Sequence, residues 1–358
     1  DCDRITLLAN DVAMQIFKRA ESKDGRQVLH ENGTPHLANI EELSRVRETW
    51  KSRCDELLSL LPAESTNTNR KQRIIVGHFV QTIIENVMKS LVAKFDIKNL
   101  AVAGGIFYNV KLNNALVKST TGLFSVIPLA GDQGCGPGMY EAFQGRFRFG
   151  NLKWGKRPSL SNWRNYLTRD ELTDLEKYVS YYESQESTPV KKIADLISSD
   201  EIVNIVRGSM EFGPRALCST TTFALPTRKN VSDINSMNNR DTVMPMAPVM
   251  SVLEADKYFD RSTRERIVGS DRFMILTYDW LNGSSDDESL QGVCHKYPKQ
   301  ELYSGRPQFI DYHDTWTLSL LENLTTEHKV LINTSFNAHG RPIVFDIESV
   351  LDSFKFEF

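Results

Sequence analysis

Twice between residues 98 and 144 a short apolar run stops at a glycine-rich turn, and a helical pattern resumes behind it. Residues 100–103 read Leu-Ala-Val-Ala and end on Gly104-Gly105. Residues 124–129 form a second apolar run that ends on Gly131-Asp132-Gln133-Gly134. Helices are expected behind these turns, over 109–117 and from 139 to 143. A strand, a glycine turn and a helix, repeated, is the building unit of an α/β fold. The turns matter beyond topology, because ligands of open α/β sheets gather at the carboxyl ends of the strands.

The spacing of Val76, Phe79, Val80, Ile83, Ile84, Val87, Met88, Leu91 and Val92 predicts a long amphipathic helix over 72–95. Residues 5–20 also carry helical spacing. Residues 21–70 are polar and broken by Gly25, Gly33 and Pro35, and read as an insertion with one helix around 40–61. Residues 146–188 have no clean period, and Ser-Gln-Glu-Ser-Thr-Pro at 184–189 reads as a linker. The expected division is therefore 1–150, a linker over 151–189, and 190–358. In the last part a helix is expected over 190–197, strands over 202–206, 273–278 and 329–332, and a polar loop over 282–289.

Charge and cysteine usage narrow the class. The 358 residues carry 43 Lys+Arg against 46 Asp+Glu, a net charge of −3. That balance argues against a nucleic-acid coat while leaving room for a small basic pocket. No apolar run of about 18 residues is present, so no membrane-spanning helix is expected. The start Asp1-Cys2-Asp3-Arg4 has no basic leader followed by an apolar core, and it lacks Met, so upstream sequence is expected. Five scattered cysteines (Cys2, Cys54, Cys135, Cys218, Cys294) without a C-x-x-C pair favour a reducing cytoplasm.

Four corners could carry chemistry. At Ala103-Gly104-Gly105-Ile106-Phe107-Tyr108-Asn109, two glycines let backbone approach a ligand, and Asn109 offers a donor and an acceptor. A plain strand-to-helix turn is the blander reading there. At Gly131-Asp132-Gln133-Gly134-Cys135-Gly136-Pro137-Gly138 the glycine density favours a ligand, and Asp132 could bind a hard metal or cap a helix. At Glu211-Phe212-Gly213-Pro214-Arg215-Ala216-Leu217, Arg215 stands on a stiff Gly-Pro pair and suits a phosphate or carboxylate, with Glu211 expected to orient it. A solvated surface ion pair is the alternative. At Leu331-Ile332-Asn333-Thr334-Ser335-Phe336-Asn337 an apolar strand runs into short polar side chains that either line a pocket or cap a turn. His295, His313, His328 and His339 lack i,i+4 metal spacing and carry little weight.

Taken in order, AGGIFYN, GDQGCGPG, EFGPRAL, PMAP, SGRPQ and INTSFN resemble the O-carbamoyltransferase family of the NodU and TobZ types, over residues 72–358. The resemblance implies an α/β (α+β) fold: part of an actin/Hsp70-like (ASKHA) domain over 1–150, then a YrdC-like domain over 190–358. It implies an enzyme that makes carbamoyl adenylate from carbamoyl phosphate and ATP and passes the carbamoyl group to the hydroxyl of a small acceptor, with a divalent metal, iron or magnesium. Carried onto this chain, Gly104, Gly105, Asn109, Gly131 and Gly134 would cradle the adenylate, and Asp132 would hold the metal. Arg215, Arg240, Arg306, Asn333 and Ser335 would bind carbamoyl phosphate and ATP.

The chain departs from the family pattern at several points. The N-terminal lobe with its histidine pair is missing, so a partner chain or upstream segment would have to supply it. Asn238 stands where the family has a phosphate-binding lysine, Met244 where it has an arginine, Cys218 where it has a glycine, and Thr220-Thr221 where it has Arg-Ser. Each lost charge-assisted bond weakens a phosphate site by roughly 1.5–3 kcal/mol. These losses motivate an alternative, a catalytically degenerate nucleotide-binding or regulatory homologue. A nucleoside-directed carbamoyl-type transferase is a third reading, disfavoured by the lack of a basic stripe.

Overall fold

The computed structural model describes residues 68–144, 150–158, 162–166, 168, 179–182, 189–240, 246–281, 286–297 and 301–354, and positions 48, 51–52 and 55–56. The helix expected over 5–20 lies outside the described residues. Of the one around 40–61 only positions 48, 51–52 and 55–56, all helical, are described. The chain divides into two compact units. One comprises Asp1–Asn99 and Ala115–Gly122, the other Leu100–Asn114 and Leu123–Phe358.

The first unit is built on α1 (Thr68–Lys94), the long helix expected from the apolar stripe. Phe79, Ile83 and Val92 are buried along it, and so are Leu116 and Val117. Gly122 N donates to Lys98 O at 2.9 Å, tying the two pieces of the unit together.

The second unit opens with β1 (Leu100–Val102), followed by a single turn of 3-10 helix, Gly105–Tyr108, and then by α2 (Val110–Ser119), whose last residues belong to the first unit. β2 (Phe124–Val126) lies parallel to β1, with Leu100 opposite Phe124. A parallel pair needs a crossover, and α2 supplies it. A second 3-10 turn, Asp132–Gly134, leads into α3 (Cys135–Gln144). The two strand–turn–helix units are thus present, as the glycine turns required.

The rest of this unit runs α4 (Val190–Ser198), β3 (Val203–Val206), β4 (Thr220–Ala224), α5 (Arg228–Met237), β5 (Ala247–Ser251), α6 (Arg261–Glu265), β6 (Tyr278–Asp279), β7 (His295–Lys296), β8 (Tyr303–Gly305), β9 (Gln308–Ile310), α7 (Thr315–Asn323), β10 (Val330–Ser335) and α8 (Ile347–Phe354). Five strands form one sheet in the order β3-β4-β10-β5-β9, antiparallel except for the parallel pair β5–β9. A smaller antiparallel sheet has the order β6-β8-β7. The result is the mixed α/β architecture expected from the sequence.

Every residue of β4 and β5 is buried. Such strands show no apolar–polar alternation, which is why Thr-Thr-Thr-Phe-Ala and Ala-Pro-Val-Met-Ser do not announce themselves in the sequence. One core cluster joins Ala194 and Ile197 of α4 to Phe223, Val249 and Leu331 of the sheet and to Trp316, Leu320 and Leu321 of α7. Thr227 and Asp314 cap α5 and α7, accepting from Asn230 N at 3.2 Å and Thr317 N at 3.2 Å.

The strand expected over 273–278 is a correction. Only Tyr278–Asp279 pairs in a ladder. Met274 has φ +52°, a left-handed conformation that breaks a strand. The apolar run is accounted for by burial instead: Phe273 and Met274 pack with Leu129, Leu152, Leu217 and Ala247. Among the described residues no helix is long and apolar enough to cross a membrane.

Candidate anion-binding site

The site grows from one end of the five-stranded sheet. In β10, Asn333 sits opposite Phe223 of β4 and Ala247 of β5, and Ser335 opposite Thr221. The parallel register sets Val249 of β5 against Gln308 of β9. Arg306, two residues before Gln308, therefore falls near the level of Ala247 and Asn333. Asn333, at the end of the β10 apolar run, thus reaches Gln308 of β9 across β5.

They belong to a buried amide lattice. Asn333 Nδ2 donates to Ala216 O at 3.1 Å and to Gln308 Oε1, and Asn333 Oδ1 accepts from Thr221 Oγ1. Asn333 is 2% exposed. Its amide is spent inside the protein, where it fixes the carbonyl next to Arg215. The hydroxyl of half-buried Ser335 makes no hydrogen bond among the described residues.

Glu211 corrects the sequence reading. Its buried carboxylate accepts backbone N–H bonds from Leu217 (2.7 Å), Ser219 (2.6 Å) and Thr220 (3.2 Å), rather than pairing with Arg215. The loop can wrap this carboxylate because Gly213 has φ +120° and Cys218 φ +70°. A Cβ at Gly213 would also lie 2.9 Å from Leu129 Cδ2, so glycine is required there on two counts. Arg215 thus stands on a loop clamped from inside.

The glycine corners adjoin one another. Gly104, at φ +112°, donates its N–H to Ala130 O at 2.8 Å, which brings the first corner onto the second. A Cβ on Gly104 or Gly105 would meet nothing within 4 Å, so this backbone faces open space. A Cβ on Gly131 would lie 2.8 Å from the Tyr108 ring, and one on Gly134 would strike Leu129 O. Tyr108 Oη donates to Gln133 Oε1 at 3.1 Å, linking the corners again. Asn109 Oδ1 accepts from Leu112 N at 3.1 Å and so caps the first turn of α2.

The arginines give the site its character. Burial lowers the pKa of Arg215, with Tyr108 acting in the opposite direction. Burial, reinforced by the charge of Arg215, pushes Arg306 down to about 10. Burial also lowers Arg240, whose Nη1 lies 3.5 Å from Thr334 Oγ1. Among the described residues none of the three is paired with a carboxylate. Four other cations of this unit meet carboxylates: Arg207 meets Asp314 at 2.7 Å, Lys153 meets Asp314 at 2.6 Å, Arg272 meets Asp311 at 3.5 Å, and Arg264 meets Asp256. A separate small pocket lined by Asn151, Lys153, Arg272, His313 and Asp314 contains only these neutralised cations. Desolvated guanidiniums without counter-ions are costly, and a bound anion relieves that cost.

Two further residues join the cluster unannounced. His295 of β7 is half-buried, with Nε2 3.1 Å from Met246 O, and burial lowers its pKa with help from Arg306 and Lys111. Lys111, in the first turn of α2, is exposed. No spacing rule marks either one; the placement of His295 comes from β7 pairing with β8 and from a carbonyl distant in sequence.

Asp132 is exposed, and no group of three His, Cys, Asp or Glu able to hold a metal occurs among the described residues. The described residues around Asp132 therefore do not fit a metal centre.

A mixed α/β fold, with the desolvated and carboxylate-free Arg215 and Arg306 near each other, has the chemistry of a candidate anion site. The chain belongs to the carbamoyltransferase family: its residues 194–357 match the carbamoyltransferase C-terminus and residues 66–139 the carbamoyltransferase N-terminus, together about two thirds of the chain. An uncharacterized protein of Methanocaldococcus jannaschii is 27% identical over 308 residues, 83% of this chain and 56% of that protein. Nodulation protein NolO of Bradyrhizobium diazoefficiens is 27% identical over 71% of this chain and 46% of its own length. Nodulation protein U of Azorhizobium caulinodans is 26% identical over 70% and 42%. The chain thus spans about half the length of the curated relatives it matches. A solved structure, full-length HypF in its phosphate- and nucleotide-bound form, overlaps 47% of this chain and 19% of its own at 17% identity and a TM-score of 0.31, too slight a likeness to carry an argument.

Proposed function

We propose that this chain binds carbamoyl phosphate and ATP, forms carbamoyl adenylate and serves transfer of the carbamoyl group to the hydroxyl of a small acceptor. The observation that carries this reading is the set Arg215, Arg240 and Arg306, desolvated and without carboxylate partners. Arg306 and Arg215, each within the other's field, would share one phosphate group, and its charge removes their mutual repulsion. Phosphoryl chemistry needs little covalent help from protein, so fixed positive charge around the phosphates supplies most of the stabilisation. The open backbone at Gly104-Gly105 would admit the adenylate without a Cβ clash. The glycine corners and the cationic sheet end correspond in this reading to the ASKHA-like and YrdC-like parts.

Family membership and this charge arrangement support the reading. Carbamoyl-phosphate-dependent exchange of labelled pyrophosphate into ATP tests it: exchange dependent on carbamoyl phosphate is expected. No exchange at saturating ligands, with phosphate still bound, would contradict adenylate formation and leave an anion-binding protein.

That outcome would favour the second reading, a homologue that binds but does not turn over. Its support is Asn238, which stands where the resemblance places lysine and lies buried at the C-terminal end of α5. Asn238→Lys combined with Met244→Arg should then raise exchange from background.

A further inference from the structure

The charges whose fields act on His295 are those of Arg306 and Lys111. Arg306 follows β8 and Lys111 stands on α2; both are donors only, as is Arg215 beside Arg306. They suit the oxygens of an anion and can do nothing for a ligand N–H. His295 differs. It sits opposite Ser304 in the β7–β8 ladder, two residues from Arg306. Its Nε2 lies 3.1 Å from Met246 O, on the residue that precedes Ala247, and Ala247 pairs with Asn333. A carbonyl only accepts, so Nε2 carries the proton and donates. In the neutral ring Nδ1 then has a lone pair, and among the described residues nothing donates to it. Burial and the nearby charges of Arg306 and Lys111 hold the ring neutral, which keeps Nδ1 an acceptor.

From this we infer that His295 is the specificity-determining residue of the site: its Nδ1 accepts a hydrogen bond from the amino group of the carbamoyl unit, while the arginines take the phosphate. The inference rests on the reading that the ligand is an acyl phosphate. It adds what the arginines cannot supply, a means to tell an acyl phosphate bearing –NH2 from one bearing –CH3. A site built to pair a ligand N–H rejects the analogue lacking it, because its own polar group is then left unpaired.

The test is calorimetric titration of the intact chain with carbamoyl phosphate, acetyl phosphate and inorganic phosphate, in wild type, His295→Phe and His295→Gln. Wild type is expected to prefer carbamoyl over acetyl phosphate. His295→Phe should lose about ten-fold or more of that preference, because carbamoyl phosphate loses its acceptor and acetyl phosphate no longer leaves Nδ1 unpaired. His295→Gln keeps a donor for Met246 O and an acceptor oxygen, and should retain part of the preference. A preference undiminished in His295→Phe overturns the assignment and leaves the acyl-phosphate reading intact. Equal binding of all three anions by wild type overturns it too, and leaves only an anion site. No binding of any of them overturns both.

Discussion

Replacing Arg306 by Met should stabilise the protein and abolish its response to phosphate. The guanidinium falls from its ordinary 12.5 to about 10 because it is desolvated and lies in the field of Arg215. At about 1.36 kcal/mol per unit, keeping it charged costs the folded state about 3 kcal/mol. The sign follows from a depressed base: at pH 7 Arg306 is charged in both folded and unfolded chains, so the penalty is fully present, and it shrinks only as pH rises above about 10. Met preserves much of the stem packing and removes the charge. A gain of about 1–3 kcal/mol is expected in the absence of anions, read as a higher urea midpoint. Added phosphate should invert the ranking, since a ligand at 100 times its dissociation constant adds about 2.7 kcal/mol to wild type. A variant less stable than wild type without phosphate, and stabilised by phosphate to the same extent, would refute the assignment of Arg306 as an unpaired anion-binding charge.

Glu211→Gln should destabilise by about 2–4 kcal/mol, because bonds to a charged acceptor are roughly twice as strong as neutral ones and the new NH2 would oppose Thr220 N–H; a urea midpoint unchanged from wild type would show that the clamp is not made. Asp314 answers to pH. Burial raises its pKa, but Arg207 and Lys153 pull it down further, for a net lowering. The stability it contributes is therefore present above the ordinary carboxylate value of about 4 and is lost as pH falls below it. Asp314→Asn should flatten the acid limb of the stability–pH curve below about pH 4 and lower stability at pH 7, and an acid limb identical to wild type would count against that pairing.

The corners were legible because backbone geometry demands particular residues. Gly104 at φ +112° and Gly213 at φ +120° need glycine, so the turns that carry the candidate site are marked in the sequence. Arg215 is marked by the same turn, standing just after Gly213-Pro214. Glu211 looks like its partner in the sequence because opposite charges close together invite pairing. The structure turns it toward the backbone, since the left-handed residue at Cys218 gathers the N–H groups of 217, 219 and 220 around one carboxylate. His295 carries little weight in the sequence because its placement is long-range: a two-residue strand, a partner across a loop, and a carbonyl at Met246. β4 and β5 gave no period because they are buried on both faces. The apolar run at 273–278 shows the converse, burial without a ladder, set by the backbone at Met274.

The central claim is that Arg215 and Arg306 together seat the phosphate of carbamoyl phosphate. A crystal of the protein grown with carbamoyl phosphate tests it most directly. Density for a phosphate bridging the two guanidiniums, with N–O separations of about 2.7–2.9 Å, is the expected result. A ligand bound elsewhere, with Arg215 and Arg306 untouched, would contradict it.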